Sequence, residues 1–259
     1  MFDQGKGPAV VVVPGVQGRW EWMKPALVEL AGRCHTISYS LCGDIGSGEK
    51  ADPALGFDNY LGQLDAVLDR LGPAPVTLCG VSFGGFVALR YAAAHPGRVK
   101  SLVLVSAPAP GWKPNPQQAR WISRPWISAP VFVATAPMRV WPEVRATFPN
   151  WSSRLGFFVR QGLRTASAPM IPSLMAERAR LARQLDFAPD CARITVPTLV
   201  LTGEEPLDRV VPVANTRRFC TLIDGAESGV LERTGHLGIM TQPSKFAEVV
   251  GNFVHAHNH

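Results

Sequence analysis

The chain alternates between short runs of consecutive apolar residues and longer segments in which apolar residues recur at helical spacing. Runs such as Val10-Val11-Val12-Val13 are typical of strands buried on both faces of a parallel sheet. We predict strands at 9–13, 34–41, 76–81, 99–106, 198–201 and 229–233. We predict helices at 23–31, 57–71, 83–95, 173–185, 213–222 and 244–254. This alternation, with short links, predicts an α/β fold with a doubly wound, mostly parallel sheet.

The pattern changes between residues 107 and 190, which we call the cap segment. It holds five of the seven tryptophans, ten arginines and many prolines, and it contains no run typical of a strand. Because the α/β pattern resumes beyond it, we interpret it as a helical cap, built of short helical pieces, inserted into one core formed by residues 1–106 and 191–259. We expect a set of tryptophans to line a substrate pocket, although such residues also form the core of a small helical layer. They are Trp20, Trp112, Trp121 and Trp126.

The composition allows a large hydrophobic core, since 46% of the 259 residues are hydrophobic and 18% are charged. The net charge of +6 is uneven, because the cap segment carries Lys113 and ten arginines against four acidic residues. Such a segment attracts an anionic substrate, a membrane surface or a nucleic acid, or it is simply a solvated face rich in arginine. Without a basic–aromatic motif we expect no nucleic-acid partner. No stretch approaches the roughly 20 apolar residues of a membrane span.

The five cysteines are scattered, odd in number and without Cys-x-x-Cys spacing. We therefore expect no disulfide framework, no zinc site and a cytoplasmic location. The apolar run before Pro14 is too short for a signal peptide. The tail histidines His255, His257 and His259 resemble a metal-binding cluster, but at a chain end without supporting carboxylates we interpret them as a frayed tail. We expect no metal ion and no organic cofactor.

The strongest chemical signal follows the predicted strand 76–81. An apolar run leads into Gly80-Val81-Ser82-Phe83-Gly84, and a helical pattern begins at once. The two glycines stand where side chains would collide in so sharp a strand-to-helix turn. Such a turn exposes the serine hydroxyl at the sheet edge and directs the first helical N–H groups toward an approaching ligand. We predict that Ser82 is a nucleophile; an ordinary βα turn is the alternative.

A serine nucleophile needs a base to remove its proton. Outside the tail the candidates are His35, His95 and His236. His35 opens a strand, and His95 ends a helix, where histidine commonly binds free carbonyls. His236 lies in a glycine-flanked loop between the last strand and the last helix, where an open α/β sheet delivers catalytic groups. We therefore predict that His236 is the base.

The acid and the oxyanion donors are expected at the same edge of the sheet. Our choice of acid is Asp208, which follows the strand 198–201 and gives the order serine, acid, histidine that is known for one triad arrangement. The alternatives are three other acidic residues: Glu204, Glu205 and Asp224. An oxyanion hole needs two convergent N–H donors. We predict the N–H of Phe83, at the helix start, and that of Val16, in the loop after the first strand.

Taken together, these pieces resemble the α/β-hydrolase fold superfamily, and within it the small, cap-bearing esterase-like group. The resemblance covers nearly the whole chain and rests on residues 13–18, 80–85, 94–99 and 197–203, with Asp208 and Gly235-His236 following in the right order. It implies a hydrolase with Ser82 as nucleophile. The aspartate nucleophile of the similar haloalkane dehalogenases and epoxide hydrolases is absent, because position 82 is serine.

The chain departs from that family at two places. Pro14 stands where the family usually has the histidine of a His-Gly pair. Because proline has neither an N–H nor a hydrogen-bonding side chain, the loop that carries Val16 must be held in another way. Only four residues precede Gly5, where the family has its first antiparallel strand pair. We therefore expect about six parallel strands, with that first hairpin largely missing.

The favoured function is hydrolysis of a small-molecule carboxylic ester through an acyl-Ser82 intermediate. Two alternatives stay open. One is hydrolysis of a carbon–carbon bond or a thioester in an acidic substrate, which arginines of the cap segment would hold bidentately. The other is a ligand-binding receptor on the same fold, since a fold does not determine function. The sequence carries no signal for an oligomeric state.

Overall fold

A single seven-stranded sheet organises the molecule. The computed structural model describes residues 1–258, without the side chains of residues 129, 132 and 133. Within that range the sheet has the order β1-β3-β2-β4-β5-β6-β7. The strands are β1 (Phe2–Gln4), β2 (Ala9–Val13), β3 (His35–Ser38), β4 (Val76–Val81), β5 (Val99–Val105), β6 (Thr198–Thr202) and β7 (Glu227–Val230).

Six of these strands run parallel, as the sequence predicts. The seventh strand, β1, pairs antiparallel with β3 at the sheet edge, Phe2 opposite Ser38. A hydrogen bond of 2.7 Å between His35 Nε2 and Asp3 Oδ1 joins the same two strands. His35 is therefore placed far from the carboxyl ends of the strands, at the beginning of β3.

Helices cover both faces of the sheet and fill the long connection after β5. They are α1 (Lys24–Ala31), α2 (Asp58–Leu71), α3 (Phe83–Ala94), α4 (Pro116–Ser123), α5 (Pro125–Thr147), α6 (Trp151–Ser167), α7 (Pro172–Arg183), α8 (Ala188–Ala192), α9 (Val213–Arg217), α10 (Phe219–Leu222), α11 (Gly238–Thr241) and α12 (Pro243–Ala256). Over the part of the chain that the structure describes, none of these helices is long and apolar enough to cross a bilayer.

The consecutive apolar residues of the strands are explained by burial on both faces. In β2, Val11 and Val13 belong to the core cluster that packs against α2 and α3. Their neighbours Val10 and Val12 belong to the cluster that packs against α1 and α12. Because successive side chains of a strand point to opposite faces, a strand between two helical layers needs apolar residues at every position.

Three expectations for individual elements need correction. The predicted helix 213–222 is two short helices, α9 and α10, with the chain turning at Arg218, whose guanidinium donates to the Pro110 carbonyl. The last strand is Glu227–Val230 rather than 229–233, because Arg233 has a positive φ of 60° that strand backbone does not allow. In the cap segment, α5 is a helix of 23 residues that runs through three prolines, although short pieces were expected.

Parallel strands bring their carboxyl ends to one edge, and the loops after β2, β4, β6 and β7 all leave from that edge. Helices α4 to α8 lie between β5 and β6 in the chain. The elements that carry the predicted nucleophile, acid and base are therefore neighbours in the sheet, although far apart in the sequence.

Candidate active site

Ser82 occupies a strained turn between β4 and α3. Its backbone has φ 52° and ψ −116°, a conformation that costs a non-glycine residue about 1–3 kcal/mol. The flanking glycines permit the turn. A Cβ at Gly80 would lie 2.5 Å from the Gly84 carbonyl oxygen, and a Cβ at Gly84 would overlap the carbonyl of Val13. The sequence-based expectation that side chains would collide at both positions therefore has a direct structural cause.

The structure brings Ser82, His236 and Asp208 into one hydrogen-bonded chain. The distance from Ser82 Oγ to His236 Nε2 is 3.2 Å, and the distance from His236 Nδ1 to Asp208 Oδ2 is also 3.2 Å. The side chain of His236 is 13% exposed and that of Asp208 is 1% exposed. This is the arrangement in which a histidine can remove the serine proton while a carboxylate orients it.

Backbone N–H groups stabilise the charged form of Asp208 at the carboxylate oxygen that does not contact His236. Its Oδ1 accepts the N–H groups of Val210 at 2.9 Å and Val211 at 3.0 Å. Burial opposes the charged form of Asp208, but the charge and hydrogen bond of His236 and the two N–H groups together lower its pKa below the usual range. The carboxyl group is therefore ionised at neutral pH.

The pKa of His236 moves in the opposite direction. Burial disfavours the imidazolium, but the charge and hydrogen bond of Asp208 outweigh it, and the charge of Glu143 adds to them. The net effect raises the pKa of His236 above its ordinary value. Asp208 and Glu143 therefore both favour the protonated form of the imidazole.

The alternative acids do not reach His236 in this arrangement. Glu204 accepts the N–H of Arg233 at 2.7 Å through its Oε1, which supports the loop before His236. Glu205 lies with Asp208 among the residues around a surface hollow of about 280 Å³, and Asp224 is exposed after α10. Of the four acidic candidates named from the sequence, Asp208 is the one with a hydrogen bond to the imidazole.

The expected oxyanion donors lie on either side of Ser82. Phe83 is the first residue of α3, so its N–H is among those that begin the helix without a partner in the preceding turn. Val16 follows Gly15, at which a Cβ would stand 3.4 Å from Ser82 Cβ. The loop after β2 is therefore adjacent to the serine, and the donor roles of Phe83 and Val16 stay predictions.

A buried arginine from the cap segment holds that loop in the absence of the family's histidine. Arg178 of α7 is fully buried, and its Nη1 donates to the carbonyl of Val16 at 3.0 Å. Its Nη2 donates to the Cys42 carbonyl at 3.3 Å and forms an ion pair with the buried carboxylate of Asp44. Pro14 indicates a different support for the loop, but no sequence pattern distinguishes Arg178 from the other nine arginines of the cap segment.

A second buried ionisable side chain of the cap segment holds the loop of His236. Glu143 of α5 accepts the N–H of Leu237 at 3.0 Å and the hydroxyl of Thr241 at 2.9 Å. Burial raises the pKa of Glu143, although these hydrogen bonds and the charge of His236 act in the other direction. Sequence reasoning missed this residue, since a single glutamate within a basic segment carries no distinctive pattern.

The four tryptophans proposed for substrate binding lie in different places. Trp112 lines the hollow that also includes Asp208, and the Arg139 guanidinium lies 4.7 Å from the ring of Trp121. Trp126 is exposed at the start of α5, and Trp20 packs against Phe2 with ring centroids 5.7 Å apart. The contact of Trp20 is one of packing, and a substrate-binding role for any of the four stays a prediction.

The cysteines and the tail histidines lie outside the hydrogen-bonded chain of Ser82, His236 and Asp208. All five cysteines are free thiols, and burial within β4 raises the pKa of Cys79 to about 12. His255 lies in α12 with its Nε2 3.0 Å from the Arg33 carbonyl, and His257 follows the helix, whereas His259 lies outside the described residues. Among residues 1–258, no group of three or more His, Cys, Asp or Glu side chains is placed to hold a metal ion.

With this fold and geometry established, comparison with known proteins identifies the family. The sequence model of the alpha/beta hydrolase family matches residues 10–249, and the chain belongs to this family. The 2-hydroxy-6-oxo-2,4-heptadienoate hydrolase of Pseudomonas putida is 28% identical over 262 residues, which cover 99% of this chain and 92% of that protein. The 2-hydroxymuconate semialdehyde hydrolase of a Pseudomonas species is 28% identical over 265 residues, which cover 98% and 89%.

The fold is shared with solved structures of lower identity. A thermophilic esterase from Thermogutta terrifontis superposes with a TM-score of 0.77 at 21% identity, covering 100% of this chain and 93% of that one. At this identity the likeness concerns the fold alone. The expected fold class and membership of the superfamily are thereby confirmed.

The pKa of His236 provides a test of the arrangement that needs no substrate. We expect the imidazole to titrate above the usual value of about 6.5. Asp208→Asn should lower the titration midpoint markedly, because it removes the larger of the two carboxylate charges that oppose the effect of burial. Glu143→Gln should lower it less. The measurement is the pH dependence of the histidine ring signals by NMR, assigned through His236→Gln, and an unchanged midpoint in Asp208→Asn would contradict the arrangement.

The buried ion pair of Arg178 and Asp44 predicts a large loss of stability when one partner is removed. Arg178→Met leaves a carboxylate buried without its cation, so we expect the free energy of unfolding to fall by about 3–5 kcal/mol. Arg193→Met is the matched control, because Arg193 also pairs with an aspartate but is 60% exposed, and it should cost about 1 kcal/mol or less. Urea unfolding of both variants measures the difference, and equal losses would refute the assigned role.

Proposed function

We propose that this member of the alpha/beta hydrolase family is a serine hydrolase that cleaves small carboxylic esters through an acyl-Ser82 intermediate. The observation that carries the proposal is the continuous hydrogen-bonded chain from Ser82 through His236 to the ionised carboxylate of Asp208. A serine hydroxyl in this setting is activated as a nucleophile, whereas an ordinary βα turn does not require a buried imidazole–carboxylate pair.

In the proposed reaction Ser82 Oγ attacks the ester carbonyl while His236 Nε2 takes its proton. Asp208 keeps the Nδ1 proton of the imidazole directed toward itself, which fixes the tautomer and stabilises the imidazolium. His236 then gives the proton to the leaving alcohol, and the acyl group remains on Ser82. Water, activated by the same imidazole, hydrolyses the acyl-enzyme and restores the serine hydroxyl.

We assign the stabilisation of the negative charge that develops on the carbonyl oxygen to the N–H groups of Phe83 and Val16. The position of Phe83 at the start of α3 supports this role, since helix N-termini favour negative charge. The contact of Arg178 with the Val16 carbonyl supports the second donor, because it fixes the peptide group that follows Val16 in the loop beside Ser82. Trp112 and the other three tryptophans are proposed to contribute apolar contacts to the substrate.

A second candidate function is hydrolysis of an acidic substrate at a carbon–carbon bond or a thioester. Its support is that the names of the two Pseudomonas relatives describe hydrolases of oxygenated unsaturated compounds, both of them carboxylates. The excess of arginine in the cap segment is consistent with an anionic substrate. The same Ser82 and His236 would act, so the two candidates differ in substrate rather than in machinery.

The ester proposal predicts a complete dependence of hydrolysis on Ser82. We expect Ser82→Ala to lose about 10⁴-fold or more in kcat on p-nitrophenyl esters, because no other group can form the acyl-enzyme. Ser244→Ala, at an exposed position of α12, should retain full activity. The measurement is the steady-state rate over esters of increasing chain length, whose optimum reports the size of the pocket.

Activity that is equal in Ser82→Ala and the parent would refute the proposed mechanism. Weak hydrolysis of all neutral esters, together with rapid and salt-sensitive hydrolysis of a 2-hydroxy-6-oxo dienoic acid, would favour the second candidate. Tight binding of a ligand with no turnover in a single-turnover experiment would instead favour a receptor.

A further inference from the structure

Helix α6 of the cap segment carries a line of exposed apolar residues. Trp151, Leu155, Val159 and Leu163 follow one another at intervals of four residues, and each is 54–66% exposed. Residues four apart lie on one face of a helix, so this stripe runs about 18 Å along α6. Single exposed apolar residues are ordinary, but four in a line form a continuous patch. We call these four residues the α6 stripe.

The opposite face of α6 is fixed to the rest of the molecule. Phe157 is buried, with its ring 5.5 Å from that of Phe148. Gln161 Nε2 lies 3.5 Å from the sulfur of Met240 in α11, and the indole N–H of Trp22 donates to the Ala168 carbonyl just beyond the helix. Because these contacts anchor the inner face and the C-terminal end, the α6 stripe is presented outward.

The stretch of chain that contains the α6 stripe is strongly basic. Residues 113–176 contain Lys113 and seven arginines, and the one acidic residue among them is Glu143. Glu143 is buried and bonded to Leu237 and Thr241, so it offers no negative charge at the surface. On α6 itself, Arg160 is exposed and lies about 120° around the helix from the middle of the stripe at 100° per residue. Arg154 lies about 120° on the other side, where its guanidinium donates to the carbonyls of Phe148 and Pro149.

We propose that the α6 stripe docks on the surface of an anionic lipid bilayer, with α6 lying in the plane of the interface. Charge complementarity selects this occupant. A second copy of the chain would bring two basic surfaces together, whereas an anionic bilayer offers both an apolar layer for Trp151 and the leucines and negative headgroups for the flanking arginines. Such docking is peripheral and requires no membrane span.

The docking is independent of the proposed ester hydrolysis, because none of the α6 stripe residues belongs to the hydrogen-bonded chain at Ser82. A test of binding therefore does not depend on activity. The proposed docking places the cap segment, rather than the opposite side of the molecule, against the bilayer.

The test is co-sedimentation of the full chain with vesicles of phosphatidylcholine alone and with vesicles of equal parts phosphatidylcholine and phosphatidylglycerol. We expect partitioning onto the anionic vesicles to be about tenfold stronger or more, and to weaken with added salt. Leu155→Gln/Leu163→Gln should reduce that partitioning about tenfold or more. Arg160→Gln should reduce partitioning onto the anionic vesicles several-fold and leave binding to the phosphatidylcholine vesicles unchanged.

The matched control is Val28→Gln, since Val28 is also an exposed apolar helical residue but lies on α1, and it should bind as the parent does. Far-ultraviolet circular dichroism and the melting temperature verify that each variant is folded. No partitioning onto anionic vesicles at low salt, equal binding to both kinds of vesicle, or binding unaffected by Leu155→Gln/Leu163→Gln would overturn the proposal. A dimer in sedimentation equilibrium that this double variant dissociates, without vesicle binding, would overturn it in favour of a second copy.

Discussion

The close packing at the start of α3 is the constraint on which the site depends. The chain passes directly from β4 through Ser82 into α3. This sharp turn requires the first turn of α3 to lie directly against the chain at the ends of the neighbouring strands β2 and β5. A Cβ at Gly84 would overlap the Val13 carbonyl of β2, and a Cβ at Gly85 would overlap the side chain of Ala107 after β5. The turn therefore brings Ser82, the end of β2 and the beginning of the cap segment into close contact.

Two buried side chains of the cap segment, Arg178 and Glu143, connect it to the loops around Ser82. Arg178 bonds the loop that carries Val16, and Glu143 bonds the loop that carries His236. A buried charge is costly unless it is paired and hydrogen-bonded, so both contacts constrain where the cap helices sit relative to the sheet edge. The same segment that contributes a basic, partly apolar outer surface thus also supports two of the loops around the serine.

Much of the fold and of the site could be predicted because the signals are local. Burial on both faces makes strands such as β2 apolar at every position, and the glycines around Ser82 reflect clashes within a few residues. His236 followed from elimination and from the rule that strand ends gather at one edge. Asp208 was chosen on the same rule, and the structure places it within hydrogen-bond distance of His236.

What could not be predicted depends on contacts between distant parts of the chain. Arg178 lies 162 positions from Val16, and Glu143 lies 94 positions from Leu237, so neither pairing leaves a pattern in sequence. The length of α5 was also unforeseen, because its three internal prolines individually favour interruption while the remaining helical hydrogen bonds and packing carry the helix through. Local preference was overridden there by tertiary contacts.

The most direct measurement of the central claim is the mass of the protein after brief exposure to p-nitrophenyl acetate near neutral pH, stopped with acid and followed by peptide mapping. Acid protonates His236 and stops deacylation, so the acyl-enzyme present when the reaction is stopped is retained for analysis. The account predicts a single added acetyl group on Ser82 and none in Ser82→Ala. Hydrolysis of the ester with the acetyl group on another residue, or with an equal adduct in Ser82→Ala, would contradict it.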